Sequence, residues 1–183
     1  MEGINRALKA YSHLRESRRT AGIKCIFLSH QKEDKDVCRK IADYLLESGI
    51  DVYFDEYDYD LKFNNQINNP HGVVECIRKG INSSSHMLVV VSPSTLKSKW
   101  VPWEVGYGYN NSMLGVLTLK GIQNSDLEAY LQTAPLIVRG IKSLNEYISK
   151  ITGSSIYTME SYGRIKSFNA LIHPLDNYLN WGI

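Results

Sequence analysis

The stretch Ser98-Lys99-Trp100-Val101-Pro102-Trp103-Glu104 sets two tryptophans and a carboxylate close together. Pro102 suits a first helical turn, so the pattern predicts a helix over 102–109. Trp100 and Glu104 are four apart and can face one side. They offer an aromatic wall beside one anionic group. Aromatic faces hold cationic rings, and a carboxylate in a dry pocket stabilises developing positive charge. Ser29-His30, Tyr53 with Asp55, and Ser92 each lie at the end of an apolar run. If those runs are parallel strands, these residues share a rim with the tryptophans. Each also has a plainer reading. Glu104 can be a first-turn acid favoured by the helix dipole, and Trp100 and Trp103 can be core residues. His30 can be a polar loop residue, Tyr53 a sheet-face aromatic, and Asp55 to Asp60 a solvated acidic loop.

The elements that must position these residues follow from periodicity. Ile4, Leu8, Tyr11 and Leu14 predict an N-terminal helix over 4–18. Cys25 to Leu28, Ile50 to Asp55, Met87 to Val91, Leu114 to Leu119 and Leu136 to Val138 read as strands. Between them, Val37 to Leu45 and Val73 to Ile81 carry helical stripes, and Gly49 ends the first of these. Residues 56–70 are acidic, aromatic and Asn-rich, and read as a long loop. Ser125 with Glu128, and Ser143 with Glu146, have capping-box spacing and predict two further helix starts, the second helix running through Ile151. The tail from Gly153 carries Ile172, Leu175, Leu179 and Trp181, and is expected to pack back on the domain. Strands alternating with helices predict an α/β fold with a parallel sheet covered on both faces.

The remaining features narrow the function classes. The 183 residues fit one domain with added ends. The division expected is a helical extension over 1–23, a main domain over 24–152 and a packed extension over 153–183. A formal charge of +2 points to neither nucleic acid nor membrane as partner. Cys25, Cys38 and Cys76 lie in apolar runs without CxxC spacing, so neither a disulfide framework nor a metal site is expected. No apolar stretch reads as a signal peptide or a membrane span. A cytoplasmic setting follows as the expectation. Gly106-Tyr107-Gly108 falls inside a helix and is no dinucleotide fingerprint.

Four stretches in order carry a family resemblance: Cys25-Ile26-Phe27-Leu28-Ser29-His30, Asp51-Val52-Tyr53-Phe54-Asp55, Val89-Val90-Val91-Ser92 and Ser98 to Glu104. From about Lys24 to Ile151 the chain resembles bacterial stand-alone TIR domains. With Gly106-Tyr107-Gly108-Tyr109 and His173-Pro174-Leu175-Asp176-Asn177-Tyr178, the longer pattern is similar to TIR proteins of the Thoeris antiphage system. The resemblance implies a flavodoxin-like fold with five parallel strands. It implies cleavage of NAD+ at the nicotinamide–ribose bond, with NAD+ as substrate and no cofactor. It puts the catalytic role on Glu104, nucleotide contacts on Ser29 and His30, and an aromatic contact near the nicotinamide on Tyr53. Asp55, Ser92, Trp100 and Trp103 complete the expected substrate-binding set. One departure is His30-Gln31, where some relatives carry an arginine. The resemblance further implies self-assembly, with residues 56–70 completing the site, and a signal product read by a companion effector. The competing reading is a non-enzymatic adaptor acting through TIR–TIR contacts.

Overall fold

The computed structural model describes residues 2–181. Five strands are β1 (Cys25–Ser29), β2 (Asp51–Tyr53), β3 (His86–Val91), β4 (Met113–Thr118) and β5 (Leu136–Val138). All pairings are parallel, in the order β2-β1-β3-β4-β5. This is the flavodoxin-like order, with a switch point between β1 and β3. The helices are α1 (Arg15–Thr20), α2 (Lys35–Glu47), α3 (Tyr59–Gln66), α4 (Pro70–Asn82), α5 (Trp100–Gly108), α6 (Ala129–Gln132), α7 (Ile141–Thr152) and α8 (Ile156–Ser161).

Alternation along each strand divides the core into two layers. Ile26, Leu28, Val52, Phe54, Leu88, Val90 and Leu117 face α2 and α7. Cys25, Phe27, Tyr53, Met87, Val89, Val91 and Val116 face α4 and α5. Apolar demand on both faces explains why the strands read as continuous hydrophobic runs. Gly49, at φ +91°, turns the chain from α2 into β2, as the sequence predicts.

The N-terminal segment departs from the helical expectation. Residues 4–6 run extended beside β2: Val52 N–H donates to Ile4 O, and Arg6 N–H to Val52 O. Helical structure begins only at Lys9. The cause lies far away in sequence, at Asp51, whose carboxylate takes Arg6 Nε (2.7 Å), Arg18 Nε and Nη2 (2.8 and 2.6 Å) and Ile4 N–H (2.9 Å). Burial alone would raise the Asp51 carboxyl, but these donors outweigh it and hold it below its ordinary range.

Residues 56–70 are not structureless. Asp58 accepts from the backbone N–H of Asp60 and Leu61 and so caps α3. Asn68, at φ +52°, then reverses the chain, and Asn69 caps α4. The two later helix starts also shift. The capping box forms at Gln123 and Asp126 instead of Ser125 and Glu128. Helix α7 opens at Ile141, and Ser143 Oγ accepts from the N–H groups of Arg139 and Gly140.

Residues 153–181 pack on the α2–α7 layer through Met159, Ile165, Leu175 and Leu179. A buried polar knot reinforces the contact: Tyr44 donates to Asn145 Oδ1 at 2.8 Å, and its oxygen accepts from Lys166 N–H at 3.0 Å. His173 lies against the same hydroxyl at 3.3 Å. Ile172 and Trp181, expected in this packing, are exposed. No described helix is long and apolar enough to cross a membrane.

Candidate active site

The carboxyl ends of β1 and β2 and the start of α5 surround a cavity of about 620 Å³. Helix α5 begins at Trp100, earlier than the proline suggests. Ser98 Oγ caps it by accepting from the N–H groups of Trp100 and Val101, each at 3.2 Å. Pro102 then falls within the first turn, where a missing N–H costs nothing. Glu104 lies one turn in, beyond the reach of a first-turn dipole effect. The plainer reading of Glu104 therefore fails on position.

Glu104 is 5% exposed and lines the cavity floor. Ser29 Oγ donates to its Oε2 at 2.5 Å. Burial first, and the charge of Asp55 second, push its carboxyl up to about 8, against a lowering pull from Ser29. Asp55 lines the same cavity, and its Oδ1 is buried without a hydrogen-bond partner. His30 Nδ1 lies 3.1 Å from Leu28 O and 3.7 Å from Asp55 Oδ1. Trp100 stands 43% exposed at the rim, on the same side of α5 as Glu104.

Three expected contacts lie elsewhere. Tyr53 is fully buried in the α4–α5 layer, stacked on Phe27 at 5.9 Å and donating its hydroxyl to Asp58. Gly80 makes room for it, since a Cβ there would come within 2.6 Å of the ring. Trp103 turns away from the cavity and stacks on Tyr107 at 5.7 Å. Ser92 is buried in the turn after β3, where its Oγ donates to Asp34 at 2.5 Å and accepts from the Ser94 and Thr95 N–H groups. It fixes the route from β3 toward α5.

Leu61, Lys62, Asn65 and Gln66 of α3, inside the segment expected to complete the site, close one wall together with Val73 and Ile77 of α4, which the sequence reading did not single out. Lys32 and Lys62 place cations at the mouth, above the acidic floor. The signal for α3 was Asp58 as a cap three residues before Leu61. Its apolar residues obscured it, because Tyr59, Phe63 and Ile67 recur every four positions yet all face solvent. None of the three lines the cavity. Among the described residues no cluster of His, Cys, Asp and Glu could hold a metal ion.

A site with a buried carboxylate, a tryptophan rim and cations at its mouth suits a ligand with a cationic ring at one end and anionic groups at the other. The chain is 31% identical over 80 residues to a 2′ cyclic ADP-D-ribose synthase of Bacteroides thetaiotaomicron, covering 43% of this chain and 25% of that one. It is 32% identical over 120 residues to a probable 2′ cyclic ADP-D-ribose synthase of Methanobrevibacter olleyae, covering 61% and 32%. The chain thus spans a quarter to a third of the length of these relatives. A metazoan TIR–STING receptor from C. gigas, solved with 2′,3′-cGAMP, aligns at TM-score 0.49 and 22% identity over 69% of this chain and 38% of the receptor. The TIR domain model matches residues 26–134, more than half of the sequence, and the chain belongs to the TIR domain family.

Proposed function

We propose that this protein cleaves NAD+ between nicotinamide and ribose and releases an ADP-ribose-derived signal, cyclic in form as the names of its relatives suggest. The observation that carries the reading is Glu104, a carboxyl buried at the floor of an aromatic-rimmed cavity and held by Ser29. The nicotinamide ring enters beside Trp100, and the pyrophosphate meets Lys32 and Lys62. As the C–N bond breaks, its electron pair leaves with nicotinamide and cancels the ring charge. The ribose carries the positive charge left behind, and ionised Glu104 stabilises it. A nucleophile from the same molecule then adds to the ribose carbon and gives up a proton to solvent. No cofactor takes part. Exclusion of water from the floor favours this closure over hydrolysis. The product serves a companion effector in antiphage defence, in a cytoplasmic setting.

Assembly belongs to the same reading. The stripe Tyr59, Phe63 and Ile67 projects from the helix that walls the cavity, and the exposed Asp60 follows Tyr59 on that helix. A second cavity of about 600 Å³ opens at the opposite end of the sheet. Met113, Leu136 and Tyr147 line it with Lys24 and Lys150, and its wall contains no acidic residue. Apolar character and charge match between the two surfaces, so the stripe of one copy fits the second cavity of another. The non-enzymatic adaptor reading shares this assembly and differs only in chemistry.

Glu104→Gln separates the two. It keeps size and removes the charge, and is expected to leave the fold intact by circular dichroism. Nicotinamide release should fall by about 10²–10³. Near-wild-type release by the folded variant would refute the assignment.

A further inference from the structure

We infer that Asp55 is a second working carboxyl of this site: with Glu104 it forms an acidic pair that selects a positively charged ring and sheds one proton to solvent when that ring enters. The inference rests on the functional reading above and adds a determinant of which dinucleotide the site accepts.

Asp55 and Glu104 reach the same cavity from different elements, the end of β2 and the second turn of α5. Asp55 Oδ1 is buried and accepts no hydrogen bond, while Glu104 has Ser29 as its donor. Buried acceptors are ordinarily paired, so an orphan carboxylate oxygen beside a cavity marks a place for a donor or cation from outside. His30 and the Glu56 backbone N–H offset part of the cost of burying Asp55, yet its carboxyl still stands raised. His30 Nδ1 stands 3.7 Å from Asp55 Oδ1 and is nearer to Leu28 O. After β2 come Glu56 and Asp58, both acidic. From the loop after β1 come Lys32 and Glu33, both exposed. From α3 comes Lys62, also exposed and 4.0 Å from Glu56.

Two carboxyls on one cavity, Glu104 buried and Asp55 with one buried oxygen, do not both ionise readily, so the pair by itself retains a proton. Burial raises both groups, and the charge of Asp55 raises Glu104 further. A cationic nicotinamide ring beside Trp100 reverses this balance. It stabilises both carboxylates, one proton leaves for solvent, and no other bond changes. Glu104 is then in the ionised form that cleavage needs. A reduced, neutral nicotinamide ring provides no such compensation.

The test uses the whole protein, at concentrations where nicotinamide release is seen. Calorimetry compares carbocyclic NAD+, whose nicotinamide cannot leave, with NADH, in two buffers of different ionisation heat. Near neutral pH the cationic analogue is expected to release close to one proton and NADH none. Affinity for the analogue should rise up to about tenfold per pH unit below the Glu104 ionisation, while that for NADH stays flat. In Asp55→Asn, preference for the cation should fall about tenfold and the pH midpoint of nicotinamide release should move lower. A change confined to stability moves neither quantity, and the wild-type measurements stand even if the variant does not fold. Binding of the analogue without proton release, at the affinity of NADH, overturns the role of Asp55 and leaves the proposed cleavage standing. Failure of both dinucleotides to bind overturns both.

Discussion

Burial raises the Glu104 carboxyl from an ordinary 4.5 to about 8, with Asp55 adding to the effect. Stability and activity then respond to pH in opposite senses. Between about 4.5 and 8 the folded protein holds a proton that the unfolded chain has lost. Stability therefore falls as pH rises through that window, by about 1.4 kcal/mol per pH unit. Activity rises over its upper part, because the ionised carboxylate is the form that stabilises positive charge. Glu104→Gln cannot make the trade. Its thermal midpoint is expected to exceed that of wild type near pH 7.5 and to approach it near pH 4.5. Melts across that range provide the check, and a constant offset would mean that Glu104 is not held protonated. At this scale the sequence was informative where spacing fixes direction. Trp100 and Glu104, four apart on one helix, do share the cavity. It was uninformative where direction depends on a neighbouring layer. Tyr53 and Ser92 stand at strand ends, yet Phe27 and Gly80 draw the first into the core, and Asp34 and Thr95 hold the second in a turn.

Strands and amphipathic helices were legible because both obey a local period. The misread elements depend on partners distant in sequence. The segment over residues 4–6 carries helical spacing, but Asp51 recruits Arg6, Arg18 and the Ile4 N–H and lays it along β2 instead. Helix α3 was hidden for the opposite reason: its most regular apolar stripe points outward. Asp51 also gives the clearest energetic expectation for an element. Asp51→Ala would leave the Arg6 guanidinium, itself 1% exposed, without its carboxylate. Breaking a buried pair from one side typically costs about 3–5 kcal/mol. Denaturant unfolding should show a loss of that size with an unchanged slope. A loss below about 1 kcal/mol would mean that the pair behaves as a surface one.

Seen whole, the molecule has unlike ends. The Glu104 cavity and the α3 stripe lie where the strands finish, and the basic apolar cavity lies where they start. A contact between unlike patches is not self-complementary as a two-fold dimer's is, and it builds a ring or an open chain. Phe63→Glu should spoil the stripe and Met113→Asp the socket, each leaving Glu104 untouched. Each alone is expected to lose nicotinamide release at concentrations where wild type is active. Mixed together they should regain part of it, since one variant keeps a sound stripe and the other a sound socket. Absence of rescue, with both variants folded, would exclude this mode of assembly. The same molecule guards its sheet edges. Asn5 pairs with Val52 along β2, and just past β5 Asn180 pairs with Gly140. Both flanking segments thus occupy backbone groups that a stranger's strand would otherwise seek. Copies are left to meet through side chains, a reversible kind of contact, and are kept from the sheet-to-sheet zippering that hardens a protein into amyloid. The assembly proposed above, held by side chains alone, can come apart again.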